Sequence, residues 1–159
     1  MANQLQVQQF LNKVIPMCME DMRKTGILAS LSIAQCCIES SYGLSGLTQN
    51  ASNLFGVKGS YNGQSYNCMG FEEVKGKRVN QMIMWKKYPS WQESINDHSA
   101  LFLKYDRYKN LRGCTDYKQA CVNVRADGYC TSTTYSQLLI SIIESHQLYK
   151  YDQQVLSGS

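Results

Sequence analysis

The sequence predicts an α+β fold, mainly α-helical, with one small β-hairpin. Three observations carry that reading. Apolar residues recur at helical spacing near both ends of the chain, at Val7, Phe10, Leu11, Val14 and Ile15, and again at Tyr135, Leu138, Leu139, Ile142 and Ile143. Two strand-like runs, "SYNCMGFEEV" and "RVNQMIMWKKY", flank a Lys-Gly pair that suits a hairpin turn at Gly76. At 159 residues and 43% hydrophobic, the chain can build one sizeable core and is short for two. One domain over residues 1–152 is therefore expected, with a disordered tail over 153–159.

Taken in order, the first helical stretch meets Pro16, which can break or restart it before Met19 and Met22. Gly26 separates this from "ILASLSIAQCCIES", where Ile27, Leu31, Ala34 and Ile38 put one apolar stripe on a single helix. Gly43 suits the left-handed position that stops a helix. Residues 49–63 are rich in Asn, Ser and Gly and read as a loop anchored by Leu54, Phe55 and Val57. Strand alternation then sends Glu72 and Glu73 to opposite faces of the hairpin. Ser90 and Glu93 have capping-box spacing ahead of Ile95, Ser99 and Phe102, a short helix is expected from Asp116 to Ala126 before Gly128, and the last from Tyr135 to His146.

Composition excludes several classes. The net charge of +4, with Lys75, Lys77, Arg78, Lys86 and Lys87 close together, suits an anionic envelope polymer or a plain solvated surface. No zinc-finger, RRM-like or helix-turn-helix pattern occurs, so nucleic acid is not an expected partner. No stretch approaches ~20 apolar residues and the N-terminus has no secretory pattern, so neither a membrane span nor a signal peptide is expected. Seven cysteines are an odd number without metal-site spacing and read as small buried thiols, a disulfide among some of them staying open. His98 and His146 lie in helical patterns and read as surface or packing residues, so no metal or organic cofactor is implied.

One short stretch carries chemistry. "IESSYG", residues 38–43, ends an apolar helix on Glu39. A carboxylate in the last turn meets the negative end of the helix dipole, and partial desolvation disfavours its charge again, so its pKa rises. That is how a glutamate becomes a proton donor near neutral pH.

"SLSIAQCCIESSYGLSGL", "NLFGVKGSYNGQS", "KKYPSWQESINDHSALF", "RYKNL", "DYKQA" and "GYCTSTTYSQLLISIIE" resemble, in order and spacing, glycoside hydrolase family 73, over about residues 5–152. That family comprises peptidoglycan hydrolases, chiefly endo-β-N-acetylglucosaminidases of bacteria and their phages. The resemblance implies a lysozyme-like helical domain whose hairpin lobe flanks a cleft. Its acid glutamate, in A-Q-x-x-x-E-S-x-[WY]-G, falls on Glu39. Its second carboxylate, four residues before the turn glycine, falls on Glu72, with Glu73 as the adjacent rival. Its cleft tyrosine in G-Y-A-T-D falls on Tyr129, while Ser132 stands where that stretch has its aspartate, leaving the order of this loop in question.

Among the other aromatics, Tyr42 and Tyr61 are the candidates for stacking on sugar faces. Asn53, in the N-L-F-G stretch, is a candidate for substrate binding or, through side-chain to backbone bonds, for fixing its loop. The chemistry implied needs Glu39 to protonate the leaving oxygen and either Glu72, through a water, or the substrate's own 2-acetamido group to meet the oxocarbenium charge. Rival readings are muramidase or lytic transglycosylase action on the same polymer, and a non-catalytic wall-binding module. The expected partner is the peptidoglycan glycan strand and the expected state a monomer. An endolysin waiting in a host cytoplasm, or a catalytic domain of a larger secreted or tail-associated protein, are the expected settings.

Overall fold

In the computed structural model, which describes residues 1–158, the chain enters its first helix through a reciprocal cap at Asn3. The Asn3 Oδ1 accepts the Gln6 N–H at 2.8 Å and the Gln6 Oε1 accepts the Asn3 N–H at 3.0 Å. Helix α1 (Gln4–Thr25) then runs unbroken through Pro16, contrary to the expected break. Pro16 and Asn12 both lie on the exposed side, so the carbonyl that the missing N–H leaves open is on the solvent side of the helix, and the buried side continues through Phe10, Leu11, Val14, Cys18 and Met22. Gly26, at φ 76°, ends the helix by donating to the Met22 carbonyl.

Helix α2 (Ala29–Glu39) is the centre of the molecule. Every residue from Ala29 to Cys37 is buried, so it is covered all round rather than along the one stripe its spacing suggested. It packs on α1, α5 (Tyr117–Ala126), α6 (Tyr135–Ser145) and α7 (Tyr149–Leu156). Its first turn has no side-chain cap of its own. Asp152 of α7 supplies one from a distance, accepting from the Ser30 N–H at 2.8 Å and from the Ser30 hydroxyl. This corrects the expected tail: residues 153–156 are helical because α7 must dock to deliver Asp152, and Tyr149 stacks on Tyr117 at 5.6 Å. Ser159 of that tail lies outside the described residues.

The predicted loop gives up its first residues to α3 (Gly46–Ala51), which Ser45 caps through Thr48. Strands β1 (Ser65–Val74) and β2 (Lys77–Lys86) pair antiparallel with Glu72 opposite Val79 and Glu73 opposite Arg78. Lys75 and Gly76 both take positive φ, 53° and 76°, the two-residue hairpin turn whose twist matches the strands. Ile83 packs over Gly70, where a Cβ would come within 2.7 Å of its Cδ1. The lobe is tied to the body at its base, where Gly59 N–H donates to Met84 and Lys86 N–H to Val57.

Helix α4 (Trp91–Lys104) begins after Ser90, but the expected capping box is not closed. The Ser90 hydroxyl donates to the Glu93 carboxylate at 2.9 Å instead of receiving a backbone N–H. A 3₁₀ turn (Asp106–Leu111) leads to α5, capped by Asp116. One apolar cluster joins Phe10, Leu31, Ile95, Phe102, Leu139 and Ile143 from four of these helices. All seven cysteines are free thiols, with Cys18, Cys36, Cys37 and Cys121 buried and Cys68, Cys114 and Cys130 half-buried.

Candidate active site

Glu39 is the last residue of α2, and the chain leaves it under constraint. Ser41, Tyr42 and Gly43 follow with φ of 51°, 55° and 80°, three left-handed residues in a row. The first two are not glycine, at roughly 1–2 kcal/mol each. Ser40 holds the turn: its hydroxyl donates to the Cys36 carbonyl at 2.6 Å and accepts the Gly43 N–H at 2.9 Å. Gly43 is required by space as well, since a Cβ there would stand 2.8 Å from Phe10 Cδ1 and 3.1 Å from Trp91 Cη2. The helix thus stops at Ser40, and Gly43 lets the chain turn away between two aromatic rings.

The Glu39 carboxylate is reachable from solvent, yet no hydrogen bond or ion pair holds it among the described residues. Desolvation by the protein around it raises its pKa above the ordinary 4.5, in the direction its position predicts. Its charge is felt by the hydroxyls of Tyr129 and Tyr135, which places the three groups in one electrostatic neighbourhood.

Tyr129 sits in an aromatic socket. His98 meets it edge-on at 5.5 Å, Phe102 at 5.8 Å, and Tyr135 stacks on it at 6.1 Å. Burial first, then Tyr135 and Glu39, push its pKa well up, so it is a neutral phenol over the working pH range. Its loop is bridged by hydrogen bonds that need no aspartate at position 132. The Ser132 hydroxyl accepts the Thr134 N–H at 3.4 Å, and Arg125 donates to the carbonyl of Ser132 at 2.7 Å.

The residues behind this socket were not singled out by the sequence. Gln35, one turn before Glu39 on α2, donates through Nε2 to the Tyr135 hydroxyl at 3.0 Å. With the amide so oriented, its Oε1 accepts the Nε2 proton of His98 at 2.9 Å. His98 is buried, stacked on Phe55 at 3.7 Å, and burial pulls its pKa down to about 3, so the imidazole is neutral. It is a packing residue, as one reading held, and not a surface one. The signal available in sequence was a lone amide inside an apolar helix, which must find partners once buried.

The remaining candidates lie apart. Glu72 projects on the hairpin face shared with Ile83 and Trp85, half-buried and ion-paired with Lys58, whereas Glu73 is exposed on the opposite face. No contact joins Glu72 to Glu39 among the described residues. Tyr42 leans edge-on against Phe10 at 6.1 Å and lines an open depression with Lys13 and Trp91. Tyr61 packs against Tyr88 at 4.8 Å beside Lys87 and Pro89. Asn53 is buried and its amide fully engaged: Nδ2 donates to the Val57 and Lys86 carbonyls at 2.9 and 2.8 Å, and Oδ1 accepts the Val57 N–H at 3.1 Å. Buried and bonded in this way, Asn53 fixes its loop, the second of its two readings. No cluster of His, Cys, Asp and Glu fit to hold a metal ion occurs among the described residues.

An unpartnered carboxyl at a helix end, its charge disfavoured by its surroundings and close to a neutral phenol, with a second carboxylate on the hairpin, is equipment a glycosidase uses. The family profile described as mannosyl-glycoprotein endo-beta-N-acetylglucosaminidase matches residues 15–148. The chain belongs to this glucosaminidase family. It is similar to the exo-glucosaminidase LytG of Bacillus subtilis, 36% identical over 82% of this chain and 48% of that one. It is similar also to a probable N-acetylmuramidase of Lactococcus lactis, 30% identical over 84% of this chain and 32% of that one. The chain thus spans about half of the first relative and less of the second. Among solved structures, the catalytic domain of the autolysin Auto from Listeria monocytogenes superposes with a TM-score of 0.87 at 30% identity, covering 95% of this chain and 90% of that one. The lysozyme-like glucosaminidase fold, a helical body with one hairpin lobe, is therefore the fold observed. As a member of this family the chain is a glycosidase.

Proposed function

We propose that this domain cleaves the glycan strand of bacterial peptidoglycan as an endo-acting N-acetylglucosaminidase, with Glu39 as the general acid. The observation that carries the reading is Glu39 itself, a carboxyl at the mouth of the site with a raised pKa and no partner to quench it. Protonated, it delivers a proton to the glycosidic oxygen; Tyr129, neutral and socketed beside it, offers a hydroxyl to the sugar at the same point. Glu72 is ion-paired with Lys58, so its service as base for a water requires that pair to loosen, and otherwise the substrate's acetamido group meets the developing charge. The setting we favour is the catalytic domain of a lysin or autolysin that meets its polymer at the cell wall.

The test is digestion of purified peptidoglycan by the wild type, Glu39→Gln and Glu72→Gln, with borohydride-reduced products sized by mass spectrometry. Reducing N-acetylglucosamine ends are expected from the wild type, and a loss of about 10²–10⁴-fold in rate from Glu39→Gln. A Glu72→Gln loss of similar size assigns the base to the protein; a small one assigns it to the acetamido group. Reducing muramic ends, the chemistry in the name of the Lactococcus relative, or anhydro ends would overturn the bond assignment.

A further inference from the structure

A hollow of about 190 Å³ lies where the C-terminal half of α4 meets Val57 and the end of β2. Its wall is apolar at Val57 and Leu101. His98, which meets Tyr129 at right angles, lines it too, so the hollow lies one buried ring away from Tyr129. At ~30 Å³ per water it would hold roughly six waters, the room of one or two small residues of a peptide.

Two lysines reach this hollow, and they differ in what already holds them. Lys86 is neutralised by Asp97, whose Oδ2 accepts its Nζ at 2.9 Å and the Tyr88 hydroxyl at 2.6 Å. Lys104 has no carboxylate partner among the described residues. Its Nζ lies 5.4 Å from the centroid of the Tyr105 ring, a contact that steadies the ammonium and leaves donors open toward an anion. The wall therefore runs from apolar contacts near His98 to an unmatched positive charge at an exposed edge.

We infer that this hollow receives the stem peptide carried by muramic acid, with Lys104 as the cation that takes its carboxylate. The inference rests on the glycan-strand reading above. A stem peptide leaves the sugar through a lactyl group and a small apolar residue and then presents a free carboxylate, the same order of chemistry as the wall. Bound in this way, the peptide fixes the register of the strand beside Tyr129, and the domain favours peptide-bearing over bare glycan.

The experiment compares kcat/KM of the wild type and Lys104→Gln on two substrates: glycan strands carrying their stem peptides, and the same strands stripped of peptide by an amidase. Lys104 is exposed, and a melting temperature equal to the wild type's confirms an intact fold. The variant is expected to lose about fivefold on the peptide-bearing strands, the scale of one solvent-touched ion pair, to match the wild type on stripped strands, and to recover its deficit as salt is raised. Equal activity of the two proteins on both substrates, or an equal loss on both, overturns the peptide assignment while leaving the glycosidase standing. A wild type that cleaves neither substrate instead brings down the glycan-strand reading, and the peptide assignment with it.

Discussion

Glu39 stays open to solvent on one side, is partly desolvated by the protein on the other and gains no partner, and at the residue scale that combination sets its behaviour. Its protonated form persists above the ordinary carboxylate range. An acid that must be protonated to work loses activity as pH rises through its pKa. A profile of kcat on peptidoglycan is thus expected to show its descending limb shifted above the ordinary 4.5 of glutamate, and a limb at or below that value would remove Glu39 from the role. Tyr129 was legible because a stretch around it matched a pattern. The Gln35–His98–Tyr135 chain that holds its socket was not, because its members come from three separate helices and the lone amide of Gln35 in an apolar stretch does not say which partners it finds. Asn53 shows the converse. A polar residue in a matching stretch invited a binding role, and only its three bonds to Val57 and Lys86 show that the amide is already engaged.

Elements were legible where one local force rules them. The hairpin followed from alternation and a Lys-Gly turn, and α6 from apolar spacing. Errors came where a distant partner decides. Pro16 does not break α1 because the opened carbonyl lies on the solvent side while the opposite face stays packed. α7 exists because α2 needs a cap it cannot make for itself. That dependence has a measurable consequence: Asp152→Ala leaves the Ser30 N–H and hydroxyl unmatched in a buried place, at ~1–3 kcal/mol. Thermal denaturation should show a drop of roughly 2–4 °C for each kcal/mol, with kcat preserved at temperatures where the variant stays folded. An unchanged melting temperature would mean that α7 is a passive cover.

At the scale of the whole molecule, α1 and α4 are joined through Asp21, which is buried and receives the Ser99 hydroxyl while its Oδ1 has no partner among the described residues. Desolvation, outweighing Ser99 and Lys24, raises its pKa from 3.8 to about 6. A folded state that keeps a proton the unfolded chain releases loses stability as pH rises between those values, by about 3 kcal/mol in all for two units. Urea denaturation at pH 4 and pH 7 is expected to show that loss for the wild type and a flatter response for Asp21→Asn; parallel responses would mean that Asp21 is charged and tolerated. The sequence by itself determined the helical class, the hairpin with its turn, and Glu39 at a helix end, since these depend on spacing, turn chemistry and chain neighbours. The tertiary structure alone decided which carboxylate of the hairpin meets Lys58, what surrounds Tyr129, and that Lys86 is neutralised while Lys104 is not. Each of those is a contact between residues far apart in the chain, and burial and charge balance are set only when distant elements meet.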